Sequence, residues 1–157
     1  MIETGQPAPD FELPDQEGNP VRLSDLRGRR VVLYFYPKAD TPGCTTQACG
    51  IRDHQADYDA AGAMILGVSP DPVKAVKKFH DKYALSFDLL ADADHTVADE
   101  YGVWVEKSMY GRKYWGNARA TFVVDEEGIV RHVVPKASPK THDDVILAAL
   151  AELAPAA

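Results

Sequence analysis

The chain reads as an α/β fold, a mixed central sheet flanked by helices with an N-terminal β-hairpin. Three observations predict it. The apolar run at residues 31–36 has the length and continuity of a fully buried strand. Strand-like and helix-like segments alternate through the middle of the chain, the order that covers a sheet on both faces. Two strand-like segments near the end flank a turn signal, so the sheet closes with an antiparallel pair.

Residues 1–10 are rich in Pro and Gly and are expected to run extended. Residues 11–13 and 21–23 flank the turn formers Asp15, Gln16, Glu17, Gly18 and Asn19, which predicts the small hairpin. Residues 24–28 form a short capped turn ahead of the central strand. From Cys44 to residue 60, Ala48, Ile51, Gln55 and Tyr58 recur at helical spacing, predicting one helix. Residues 64–68 read as a buried strand. Asp71 and Pro72 open a helix running to residue 82, with Pro in its first turn and its lysines on a solvated face. Residues 87–90 form a short strand and residues 94–101 another helix, with Asp92 and Asp94 as turn and cap residues. Residues 101–115, aromatic and punctuated by Gly, read as an irregular stretch or a hairpin. Residues 120–124 and 129–134 flank Asp125, Glu126, Glu127 and Gly128, a hairpin signal. Residues 141–153 form a terminal helix capped by Thr141, with Asp143 and Asp144 where the helix dipole favours negative charge.

A length of 157 residues fits one domain, 1–157, with a core that needs no staples. The formal net charge of −7 argues against a nucleic-acid or anionic-membrane surface, because such partners require a positive field. No run approaches the roughly 18 apolar residues of a membrane span. Residues 1–7 lack the basic-then-apolar pattern of a secretory signal. The expected setting is the cytoplasm, where a cysteine pair is redox-active or metal-binding rather than a structural bridge.

Cys44 and Cys49 are the only cysteines. Pro42 and Gly43 turn the chain after the central strand and leave Cys44 in the first turn of a helix. Free N–H groups and the positive end of the dipole favour an anion there, and the thiolate is the nucleophilic form of cysteine. Thr41 offers a hydroxyl to the sulfur or to a bound oxygen. The plainer alternative for Cys44 is a small buried core residue. Cys49 follows five residues later. On an ideal helix the two Cα atoms would lie roughly 8–9 Å apart. A disulfide tolerates about 7 Å, so the pair cannot close while the helix is intact. Gly50, about 1 kcal/mol poorer than Ala in a helix, eases unwinding. A zinc site would need four ligands at closer spacing; His54, His80, His95, His132 and His142 are scattered. A thioredoxin-type exchanger would show two residues between its cysteines, not four.

Residues 34–53, with Pro37, Thr41, Pro42, Gly43, Cys44 and Cys49, resemble the active-site signature of the peroxiredoxins. Within that family they are most similar to the bacterioferritin-comigratory (PrxQ-type) branch, in which a second cysteine follows after five residues. Residues 5–13, 109–116 and 119–125 resemble further family blocks, so nearly the whole chain is covered. The resemblance implies a thioredoxin-like fold and reduction of hydrogen peroxide and organic hydroperoxides. It assigns Cys44 as the peroxidatic cysteine and Cys49 as the resolving one. Thr41 and Pro37 match positions that shape the peroxide pocket. Arg119, otherwise a surface charge at a strand edge, matches the arginine that holds the thiolate and polarises the peroxide. The implied partner is thioredoxin or a similar dithiol, the implied state a monomer or at most a weak dimer, and no cofactor or metal is called for. Gln47 stands where many relatives carry Glu, and Gly50 where a bulkier residue is usual.

Two other readings stay open at this point. A protein dithiol–disulfide oxidoreductase would reduce disulfides without peroxide. A non-catalytic interaction domain on the same fold would leave Cys44 inert to peroxide. Trp104, Tyr110, Tyr114 and Trp115 are expected to cover a sheet edge, with a pocket role for some.

Overall fold

The computed structural model describes residues 1–153. At its centre is strand β3 (Arg30–Phe35), every residue of which is buried. The strands before it form the small hairpin β1 (Glu12–Pro14) and β2 (Pro20–Arg22), followed by a single 3-10 turn at Leu23–Leu26. That turn is capped from a distance, by Ser24 N–H donating to the Asp10 carboxylate at 2.9 Å.

After β3 come helices α1 (Pro42–Asp53) and α2 (Gln55–Ala60), strand β4 (Ala63–Ser69), helix α3 (Val73–Lys82), strand β5 (Asp88–Ala91) and helix α4 (Thr96–Tyr101). The chain continues through β6 (Trp104–Met109), β7 (Arg112–Asn117), β8 (Thr121–Val124), β9 (Val130–Val134) and α5 (His142–Ala151). Five strands form one mixed sheet in the order β5-β4-β3-β8-β9, with β3 parallel to β4 and antiparallel to β8.

Alternation along β3 divides the interior in two. Val31, Leu33 and Phe35 face a core closed by α4 and the N-terminal segment, through Phe11, Val97 and Tyr101. Val32 and Tyr34 face the other core, with Cys44, Ala48 and Ile51 of α1, Tyr58 of α2, Phe79 of α3, and Ile146 and Leu150 of α5. Gly67 in β4 makes room for this packing: a Cβ there would lie 2.8 Å from the Tyr34 ring and from Leu89.

Three local expectations are corrected. The expected single helix from Cys44 to residue 60 begins earlier, at Pro42, and breaks at His54. His54 has φ −106° and ψ 17°, outside the helical region, while its ring stands 2.8 Å from the Gly50 carbonyl that its backbone N–H also reaches. Pro72 is the cap of α3 rather than part of its first turn, with an extended ψ of 159°. Thr141 stands at the cap of α5 but makes no side-chain capping bond, because its ψ of 1° is not the extended cap conformation. Residues 101–115, read as an irregular stretch or a hairpin, take the second form: after the last residue of α4 comes the hairpin β6–β7. Its turn places Tyr110 and Gly111 at φ 52° and 77°, the pairing that matches a two-residue hairpin turn to the strand twist. Asp92 does cap α4, accepting from the N–H groups of Val97 and Ala98.

His142, the first residue of α5, is buried with Nε2 2.9 Å from the Thr121 hydroxyl. Burial, helped by the charge of Arg119, pushes its pKa from 6.5 down to about 4. Protonation therefore favours the unfolded chain: the stabilising contribution is complete above pH 6.5 and is lost as pH falls toward 4. Its size is about 3 kcal/mol. Urea unfolding across that interval is expected to show the decline, and His142→Gln to flatten it. An unaltered slope in the variant would assign the decline to other groups.

Candidate active site

The site is assembled where β3 ends. Tyr36 N–H donates to the Val68 carbonyl, and Asn117 Nδ2 reaches the Tyr36 carbonyl at 3.3 Å, so the chain leaves the sheet in a fixed direction. The following loop is tied down twice. Ala39 N–H donates to the Asp71 carboxylate at 2.8 Å, and Asp40, at φ 59°, accepts from Lys82 Nζ and the Tyr83 hydroxyl. Pro42 then starts α1, its fixed φ suiting the first helical position. Cys44 is the third residue of the helix and only 1% exposed. Cys49 lies five residues on, about one and a half turns further along the helix and half-buried, and both thiols are free.

Arg119 joins this helix to the sheet. It precedes β8 and donates through Nη2 to Cys44 Sγ at 3.4 Å and through Nη1 to Gln47 Oε1 at 2.8 Å. Gln47 is buried one turn beyond Cys44, on the same face. The departure from Glu at position 47 therefore keeps the hydrogen bond, with an amide oxygen as acceptor. The charge does change: nothing in that contact neutralises the guanidinium, which leaves its full field for the sulfur. Gly43 is part of the fit, since a Cβ there would stand 3.1 Å from Arg119 Nη2.

Thr41 differs in detail from expectation. Its hydroxyl donates to the Lys38 carbonyl at 2.8 Å and not to the sulfur, which leaves the oxygen as an acceptor. Thr41 and Pro37 line a cavity of about 750 Å3 beside the β6–β7 hairpin. Its other walls include Trp104, Tyr114, Trp115 and Lys107. These aromatics do not serve as a sheet-edge cover: Trp115 is 58% exposed and Tyr110 fully so, while Trp104 is held flat on the His95 ring at 4.0 Å. Burial and the nearby charge of Arg119 push the Lys107 pKa down. Lys107 was not singled out from sequence. The signal was the hairpin register, which sets it opposite Tyr114 once Tyr110 and Gly111 are taken as the turn. Beneath Cys44, Tyr34 and Tyr36 stack at 5.4 Å, and burial drives both phenols well above their ordinary pKa. Among the described residues no cluster of three or more His, Cys, Asp or Glu side chains is arranged to hold a metal ion. No helix of the described residues is long and apolar enough to cross a membrane.

Comparison with known proteins decides the family. The model of the AhpC/TSA family matches residues 4–133. The chain belongs to that family. Within it the chain is a peroxiredoxin of the bacterioferritin-comigratory branch, a thiol-dependent peroxidase with a thioredoxin-like fold. It is 52% identical to a putative peroxiredoxin bcp of Coxiella burnetii over 141 residues, 90% of this chain and 93% of that protein. It is 46% identical to peroxiredoxin Bcp of Escherichia coli over 146 residues, 93% of this chain and 94% of that one. Among solved structures, peroxidoxin BcpB of Mycobacterium tuberculosis superposes with a TM-score of 0.88 at 40% identity, covering 98% of this chain and 99% of that one. The bacterioferritin comigratory protein of Xanthomonas campestris, described for alkyl peroxide reduction, gives 0.85 at 38% identity over 90% of each chain.

Removal of the guanidinium in Arg119→Met is expected to lower the second-order rate of Cys44 oxidation by roughly 10²–10³-fold, the usual effect of losing one preorganised donor. Gln47→Ala, which frees Arg119 without removing it, should cost about tenfold. Stopped-flow tryptophan fluorescence on mixing with hydrogen peroxide measures both. Equal rates in all three proteins would remove Arg119 from the chemistry.

Proposed function

We propose that Cys44 is the peroxidatic nucleophile and Cys49 the resolving thiol of a cycle closed by thioredoxin or a similar dithiol. The observation that carries this reading is the Arg119–Cys44 contact in the first turn of α1, a permanent cation and a helix N-terminus both aimed at one sulfur. The thiolate attacks the nearer peroxide oxygen. The O–O bond breaks, the departing oxygen takes a proton to leave as water or alcohol, and sulfur is oxidised to sulfenic acid. Arg119 stabilises the charge on both partners. The Thr41 oxygen accepts the peroxide O–H, and Pro37 keeps water from the sulfur.

Cys49 then attacks the sulfenic sulfur, forming the disulfide and releasing water, and a dithiol reduces the bridge by exchange. The helix must open for this, because positions five apart on α1 are held roughly 8–9 Å apart at Cα and a disulfide needs about 7 Å or less. The aromatic cavity beside Thr41 and Pro37 supports acceptance of organic hydroperoxides as well as hydrogen peroxide. All the groups invoked come from one chain, which supports action as a monomer. The cytoplasm is the natural setting, where a dithiol pool keeps Cys44 reduced. Direct reduction of protein disulfides is disfavoured by the 1% exposure of Cys44, which bars a bulky partner from the sulfur.

Cys44→Ser is expected to abolish turnover. Cys49→Ser should permit a single stoichiometric oxidation and stop thioredoxin-driven cycling, with a stable sulfenic acid seen by intact mass. A Cys49→Ser protein that cycles normally would refute the resolving role. Amide exchange at residues 44–50 should be faster in the disulfide form than in the reduced form, and equal protection would exclude opening of the helix.

A further inference from the structure

Gly50, next to Cys49, is enclosed in a way its role as a weak helix residue does not explain. Asp143, in the first turn of α5, projects its carboxylate onto it: a Cβ at position 50 would lie 2.6 Å from Asp143 Oδ2. The same carboxylate accepts from the Tyr58 hydroxyl of α2 at 2.6 Å, and its other oxygen lies 3.5 Å from His54 Nδ1. His54 Nδ1 stands 2.8 Å from the Gly50 carbonyl, which also accepts from the His54 backbone N–H. Three helices therefore converge on one peptide group. Asp143 is half-buried, and its burial raises its pKa, so the tight bond from Tyr58 replaces lost water.

Beyond Gly50 the helix is anchored separately, by Arg52 Nη1 donating to the Tyr83 carbonyl at 2.7 Å. Before Gly50 lies the segment that has to open. Gly50 is thus the hinge between a fixed end and a moving one. Swinging Cys49 toward Cys44 rotates the backbone of Gly50 and pulls its carbonyl away from His54.

We propose that Asp143 is a positioning residue for resolution, pinning the Gly50 hinge through His54 and Tyr58 and so slowing the movement of Cys49 toward the oxidised Cys44. The inference rests on the two-cysteine reading above. The chemistry is unchanged: the Cys49 thiol displaces water from the Cys44 sulfenic acid, and the pin alters only how often the thiol arrives. The start of α1 is held separately while peroxide reacts, by Arg119 on Gln47 and Cys44, so the pin does not enter that step. A slow release has a further effect, since a sulfenic acid left unresolved is open to a second peroxide and irreversible over-oxidation.

The experiment separates the two steps by stopped-flow fluorescence of the full chain, with hydrogen peroxide as oxidant. Oxidation depends on peroxide concentration and resolution does not. Asp143→Ala and Tyr58→Phe should leave the first phase within twofold of the parent and speed the second about tenfold, the effect of losing one charge-assisted hydrogen bond. The double variant should be no faster than Asp143→Ala, because both cut the same contact. Asp143→Asn, which still accepts from Tyr58, should fall between. The peroxide concentration that over-oxidises half of Cys44 in one turnover should rise by the same factor as the second phase. A second phase that is unchanged or slower in Tyr58→Phe, with the first phase intact, overturns the proposal. A parent protein without a second phase overturns the two-cysteine reading with it.

Discussion

The constraint on which this molecule is built is that the Cys44 sulfur, the nucleophile of the proposed cycle, lies almost wholly out of water. Isolated charge in such a place is costly, and here the compensation comes from Arg119 and the start of α1. Neither is local to the other. Arg119 sits at the join of β7 and β8, so the guanidinium meets α1 only because β8 pairs directly with β3, which launches the helix. The central pairing of the sheet is therefore an electrostatic device as well as a scaffold. Gly43 and Gln47 are its fittings, one leaving space for the guanidinium and the other fixing its rotation.

How much of this could be read from the residues alone depended on range. The strand at β3, the final hairpin and the placing of Cys44 at a helix start follow from patterns a few residues long, and they appear where expected. Thr41 and Pro37 do lie together at a pocket, although the Thr41 hydroxyl turned out to be engaged with the Lys38 carbonyl, a local turn bond that competes with the sulfur. The break at His54 was hidden because Ala48, Ile51 and Tyr58 continue at helical spacing across it, and both helices pack on one face of the sheet. The meeting of Asp143 with Gly50 spans more than ninety positions and has no local signature. As a first-turn acid, Asp143 already had a sufficient explanation in the helix dipole.

The β6–β7 hairpin occupies a different position in the economy of the fold. It pairs with no strand of the main sheet. An isolated two-stranded hairpin is marginal in water, so it depends on its supports: Trp104 on His95, and buried Asn117 bonded to the end of β3. Of the aromatic residues lining the cavity, Trp104 belongs to these supports at one end, and Tyr114 and Tyr110 lie toward the other. The exposed residues of the hairpin can therefore vary without disturbing the groups that hold Cys44.

The two cores also divide labour. Under the proposed cycle α1 opens and closes at each turnover, and every buried α1 side chain in a core cluster belongs to the core on one face of β3. The opposite core, built from α4, the N-terminal segment and the outward half of the strands, contains nothing from α1. One face of the sheet stays as it is, and on the other only the start of α1 moves with every peroxide consumed. The working life of such a catalyst is then counted in refolding events of a single helix, and its wear should begin there.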